Sequence, residues 1–194
     1  MIAPIDSTDT KVRWTSADLE LFPDTGDRYE IIDGDLYVTR APHARHQKVI
    51  TRLCRVLPLQ NAEGEDGDIL TTPGFVFAND DNVIPDLVWI SQAKIDTDLD
   101  ESGHFTTAPE LAVEVVSKAR KDITRITRDH QIKLKLYSRV GVQEYWIIDW
   151  KQQTIEIYRR SHARLELVFT LYPEDELTSP LFADFKLKVA ELFT

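Results

Sequence analysis

The chain has 194 residues, 42% of them hydrophobic and 29% charged, which is the length of one domain and too apolar a composition for a disordered chain. Its 33 acids against 23 lysines and arginines give a formal charge of −10, which argues against attachment to nucleic acid by bulk positive charge and leaves only a local basic groove open. A lone cysteine, Cys54, excludes an intramolecular disulfide framework and a cysteine-built zinc site and fits a reducing, cytoplasmic setting, and no stretch approaches the roughly 18 apolar residues of a membrane span.

One domain is expected over residues 1–194, with 1–27 an N-terminal extension carrying a short helix and 28–194 the core. Ser16 followed by ADLELF reads as an N-capped helix stopped at Pro23. RYEII and DLYVT flank Asp33-Gly34, the two-residue signal of a tight antiparallel hairpin. From about Pro42 the spacing becomes helical, with His46, Val49, Ile50, Leu53 and Leu57 on one face, and Pro58 marks the end. The acidic EGEDGD run, 63–68, reads as a solvated loop. Strands are predicted at 69–72, 75–78 and 84–90, followed by a polar segment over 91–108 with one weak helical turn. ELAVEVVS, 110–117, is apolar nearly throughout, as in a central strand covered on both faces. A helix over 124–140 stops at Gly141, and EYWIID, TIEIYRR and RLELVFTLY read as further strands. The final LFADFKLKVAELF fits more than one element. Strands and few helices in this order give an α/β (α+β) fold with a mixed sheet and an N-terminal β-hairpin.

The chemistry centres on Glu114. Alternation puts Leu111, Val113 and Val115 on one strand face and Ala112, Glu114 and Val116 on the other, so one carboxylate sits in the middle of an otherwise apolar strand. Ionised and unpaired, it would cost several kcal/mol, so it needs a cation, a metal or a proton. A structural ion pair, or an edge strand with Glu114 in water, answers the same need. At about 100° per residue, Lys133 and Asp129 fall inside the apolar arc of Ile126, Leu136, Tyr137 and Val140. Lysine faces a core either with a polar partner or by snorkelling its ammonium out to water. Asp86, opening the strand PDLVWI, is a turn former or a metal ligand at the sheet rim, since two carboxylates from neighbouring strands suffice to hold Mg²⁺. His46 is central to its helix's apolar face, as a core histidine or as a group orienting a carboxylate, and Glu30 shares a strand face with Ile32 that points inward or to solvent. Between 118 and 139 eight basic residues meet only Asp122 and Asp129, a strip that suits a polyanion and reads equally as a solvated helix face. P-loop, dinucleotide-fingerprint, nucleophile-elbow and HExxH motifs are absent.

Taken together, YEIIDG, APHARHQ, PDLVWI, ELAVEVVS and DHQIKLKLYSRVGVQEYWIID resemble the Uma-type restriction endonuclease family of the PD-(D/E)xK nuclease superfamily. The order D-x3-K-x3-Y-x3-G-V-x-E-Y-W, at Asp129, Lys133, Tyr137, Gly141, Val142, Glu144, Tyr145 and Trp146, carries most of the resemblance. It implies a restriction endonuclease-like mixed β-sheet flanked by helices and a Mg²⁺-dependent (or Mn²⁺-dependent) endonuclease acting on nucleic acid, DNA first. Asp86 and Glu114 would be catalytic and metal-binding residues and Lys133 the catalytic lysine, supplied by the helix because Val116 stands where the superfamily has lysine. Glu30, His46 and Asp129 would be accessory residues, and Arg120, Lys121 and Arg125 would contact nucleic acid. By analogy two copies would pair, with EYWIIDW as a surface for it or, more commonly for such a run, as core. The rival expectation is a catalytically silent interaction or nucleic-acid-binding module that uses the same charges structurally.

Overall fold

A computed structural model describes residues 12–23, 26–77, 81–117 and 123–194, the side chains of 123–129 excepted. Ser16–Leu21 forms a short 3-10 helix. Its cap is Thr15, one residue before the expected Ser16: the Asp18 carboxylate accepts from both the Thr15 amide (2.8 Å) and its hydroxyl (2.9 Å). Trp14 and Phe22 pack in sequence onto Tyr29, which ties this segment to the hairpin that follows. That hairpin pairs β1 (Arg28–Ile32) with β2 (Asp35–Thr39). Asp33 and Gly34 both have positive φ, 52° and 76°, as the two-residue turn requires.

Helix α1 (Ala44–Val56) buries His46, Val49, Ile50 and Leu53, the face its spacing predicts. The main sheet has six strands in the order β10-β9-β8-β7-β6-β3. These are β3 (Gly67–Thr71), β6 (Leu87–Ser91), β7 (Leu111–Val116), β8 (Glu144–Asp149), β9 (Thr154–Ser161) and β10 (Arg164–Leu171). Every neighbouring pair is antiparallel except β7 and β8, which run parallel because helix α3 (Ile123–Val140) crosses between them. β1 and β2 join β4 (Phe75–Val76) and β5 (Asn82–Val83) in a second sheet of order β2-β1-β5-β4.

The period of two divides the core. Leu87, Trp89, Leu111, Val113, Val115, Trp146 and Ile148 face α1 and the C-terminal segment, packing with Val49, Leu53, Phe182 and Phe185. Val88, Ile90, Ala112, Tyr145 and Ile147 face the other way, packing with Leu136 and Tyr137 of α3 and Phe75, Phe77 and Val83 of the small sheet. Glu114 has the parity of Ala112 and so projects into that second layer.

Three expectations are corrected or made definite. The strand read at 84–90 begins only at Leu87, as β6, since Pro85 offers no amide to a ladder and Asp86 spends its carboxylate inward, while β5 precedes it at Asn82–Val83. The polar segment after β6 holds a defined helix, α2 (Gln92–Thr97). The ambiguous C-terminus supplies β12 (Leu187–Lys188), paired with β11 (Glu176–Leu177), and a 3-10 turn over Val189–Leu192. EYWIID is β8, buried along its whole length, in keeping with the core reading of that segment. Among the described residues no helix is long and apolar enough to cross a membrane.

Close packing of β3 on the sheet depends on Gly67, where a Cβ would stand 2.5 Å from the Trp89 ring and 2.6 Å from the Ile90 carbonyl. Gly67→Ala should therefore cost about 1–3 kcal/mol, read as a lower urea midpoint at unchanged slope.

Candidate active site

The β6–β7 register pairs Val88 with Ala112 and Leu87 with Val113. Continued one step, it sets Asp86 opposite Glu114, so two acids 28 positions apart in sequence become cross-strand neighbours on one face. Both are buried, Asp86 3% exposed and Glu114 7%.

Each acid is held by partners from other elements. Asp86 accepts from Arg28 of β1 (3.0 Å), from the Val115 amide of β7 (2.9 Å) and from His46 Nε2 of α1 (2.8 Å). The other ring nitrogen of His46, Nδ1, is buried and has no hydrogen-bond partner among the described residues. Glu114 Oε1 accepts from Lys133 Nζ (2.8 Å) and from the Tyr137 hydroxyl (3.0 Å), one helical turn apart on α3. Lys133 also pairs with Glu30 Oε1 (3.0 Å), which in turn accepts the Ile84 amide (2.8 Å). Arg28, Glu30, His46, Asp86, Glu114 and Lys133 line one cleft of about 340 Å³, together with Arg40, His43 and Trp150, and Tyr137 is buried beside it.

Three carboxylates therefore share the proton-bearing Lys133 and Arg28. Burial, opposed by Lys133 and reinforced by Asp86 and Glu30, pushes Glu114 up to about 7. Burial alone would lower Lys133, but the surrounding carboxylates of Glu114 and Glu30 outweigh it and raise its pKa, so this lysine stays charged. Burial also works against the charge on Asp86, yet His46, Arg28 and the Val115 amide together hold its carboxyl below the usual range. Burial drives the Tyr137 hydroxyl well above its ordinary pKa, so it serves as a donor.

The structure thus brings Asp86, Glu114, Lys133, Glu30 and His46 together. The side chains of Asp129 and Arg125, and all of Arg120 and Lys121, lie outside the described residues. Arg28 and Tyr137 are the site residues that sequence reasoning missed. Both had a signal: Arg28 is two residues before Glu30 on the same strand face, and Tyr137 is four after Lys133 on the same helix face. A further clamp seats the hairpin on α3, where Arg139 donates to Asp33 (2.7 Å) and to the fully buried Asp81, which also accepts the Asp33 amide (2.7 Å).

A family model described as "Putative restriction endonuclease", Uma2, matches residues 16–190. The chain belongs to the Uma2 family. Every cleft residue named above falls inside the matched span. The fold is also that of a crystal structure from Anabaena variabilis titled a putative nuclease belonging to DUF820, with a TM-score of 0.68 and 21% identity over 93% of this chain and 97% of that one. Curated proteins yield no match.

The raised Glu114 gives a pH signature. Below about 4.5 the carboxyl is protonated in both folded and unfolded states, and as pH rises toward about 7 only the unfolded state ionises. Glu114 therefore withdraws stability across that window, on the order of 3 kcal/mol in all. Urea unfolding in EDTA should show the wild type losing stability relative to Glu114→Gln between pH 4.5 and 7.5, and parallel pH profiles would contradict this.

Proposed function

We propose that the cleft is the centre of a metal-assisted phosphodiester hydrolase, an endonuclease acting on nucleic acid, with DNA the first substrate to test. The observation that carries the reading is the surplus of negative charge. Three buried acids face two cations, Glu30 and Glu114 sharing Lys133 and Asp86 taking Arg28, and Glu114, whose side-chain donors both come from α3, is left short of compensation.

The donor set fits a hard divalent ion. Among the described residues no group of three or more His, Cys, Asp or Glu is placed to hold a metal, so the chain would contribute two oxygen ligands, Asp86 and Glu114. That is the usual share for Mg²⁺, which keeps its waters and takes substrate phosphate as a ligand. When bound, Mg²⁺ or Mn²⁺ supplies Lewis-acid polarisation of a phosphoryl oxygen and a more acidic water. Arg28 and His46 fix the Asp86 carboxylate in its ionised form. Lys133, kept protonated by its acids, faces the cleft as a positive charge for the developing negative charge on phosphorus-bound oxygen, and it is not the base. Tyr137 orients Glu114 through its hydroxyl.

One observation favours a second reading, a silent module. Asp86 already has three donors, and Lys133 bridges Glu30 and Glu114, which closes the cluster without an ion. Divalent ions separate the two. At about 100 times the dissociation constant, Mg²⁺ adds roughly 2.7 kcal/mol, a rise of several degrees in the melting midpoint of the wild type. Asp86→Asn and Glu114→Gln should lose both that rise and metal-dependent nicking of plasmid DNA while remaining folded. An absent shift in the wild type, or an equal one in Asp86→Asn, would establish the silent module.

A further inference from the structure

Residues 36–62 contain five lysines and arginines and not one acid, in a chain with a net charge of −10. Four of the five lie on α1: Arg45, Lys48, Arg52 and Arg55. Their spacing of three and four residues makes them a single stripe about 15 Å long, flanking the buried arc of Val49, Leu53, His46 and Ile50. Arg45, Lys48 and Arg55 are exposed, and none has a carboxylate partner among the described residues. Arg52 is anchored by a bond to the Leu192 carbonyl (2.9 Å).

Arg45, Lys48 and Arg52 also line a concavity of about 300 Å³, together with Trp150 and Gln153 and with no acid in its wall. Trp150 lines the active-site cleft as well, so the two depressions meet at its ring. There the ring stacks on His43 with centroids 5.0 Å apart, and Arg45 and Lys151 lie over it at 5.8 Å and 5.4 Å. Cations are thereby held in place along a path leading out of the cleft.

We infer that this α1 stripe and its concavity seat the backbone phosphates of a nucleic-acid strand beyond the scissile group. The inference rests on the phosphodiesterase reading for the direction of that path. The length of the stripe matches about four nucleotide steps of one duplex strand. A membrane surface fits less well, because the apolar face of α1 is committed to the core and leaves nothing to insert. The strip expected at Arg120, Lys121 and Arg125 lies outside the described residues, and α1 is a separate surface.

The test is the salt dependence of binding of the full chain to a labelled DNA duplex and to the corresponding single strand, measured by anisotropy in EDTA. Lys48→Glu combined with Arg55→Glu should weaken binding and lower the magnitude of the log–log salt slope for the duplex by about 2, since each phosphate contact contributes about 0.9. Arg164→Glu combined with Lys186→Glu, two exposed reversals away from α1, controls for net charge and should leave the slope unchanged. Equal effects from the α1 reversals and the control, or no salt-dependent binding by the wild type, would overturn the proposal. So would stripe-dependent binding to phosphatidylserine vesicles with none to DNA. Hydrolysis of bis(p-nitrophenyl) phosphate with Mg²⁺ separates the two readings. Hydrolysis lost in Glu114→Gln alongside slopes unaltered by the α1 reversals removes the stripe and keeps the cleft. No hydrolysis by the wild type alongside altered slopes removes the cleft and keeps the stripe.

Discussion

A carboxylate in the middle of the sheet is the constraint that organises this molecule. Glu114 stands on a strand whose neighbours Ala112, Val113 and Val115 are buried, and a charge there costs several kcal/mol unless something compensates it. Lys133 does so only by being on α3, and α3 reaches it because the β7–α3–β8 crossover lays that helix over the face to which Glu114 points. The contrast with Glu110 on the same segment is instructive. That acid is also buried, but it is satisfied by the amide and hydroxyl of Ser91 and by Lys94, and it lies outside the cleft that holds Glu114.

The small sheet completes the compensation. Arg28 and Glu30 extend from β1 toward Asp86 and Lys133, so the hairpin contributes one charge of each sign to the cleft. Its position is secured at the turn by Arg139, which joins Asp33 and Asp81 to the last turn of α3. The same helix therefore provides the lysine of the cleft and the clamp that holds the hairpin above it. Packing and electrostatics at this point are one problem, because moving α3 would unpair acids at both ends.

The sequence is acidic overall, yet its charges are partitioned rather than mixed. Three acids are gathered in the cleft and four fall within 63–68, while α1 carries only positive charge. For a phosphate-bearing ligand such a partition combines a locally attractive path with a global repulsion that suppresses indiscriminate attachment.

Much of this was legible from sequence because it rests on local periodicity. Asp33-Gly34 announces the turn, the period of two turns Glu114 inward from a strand of otherwise apolar parity, and about 100° per residue turns Lys133 toward it. These follow from backbone geometry that every chain shares. What sequence left open is whatever depends on which strands become neighbours. Asp86 could have been an ordinary turn former until the β6–β7 register set it opposite Glu114. Arg28 found its acid 58 positions away, and His46 found the same acid at a distance of 40. EYWIID could have been a surface, and became the core, because α3 and β9 close over it. Periodicity fixes the direction in which a side chain leaves its own element; only the assembled sheet decides what it meets there, since contacts between distant segments are set by register and crossover and leave no mark on local spacing.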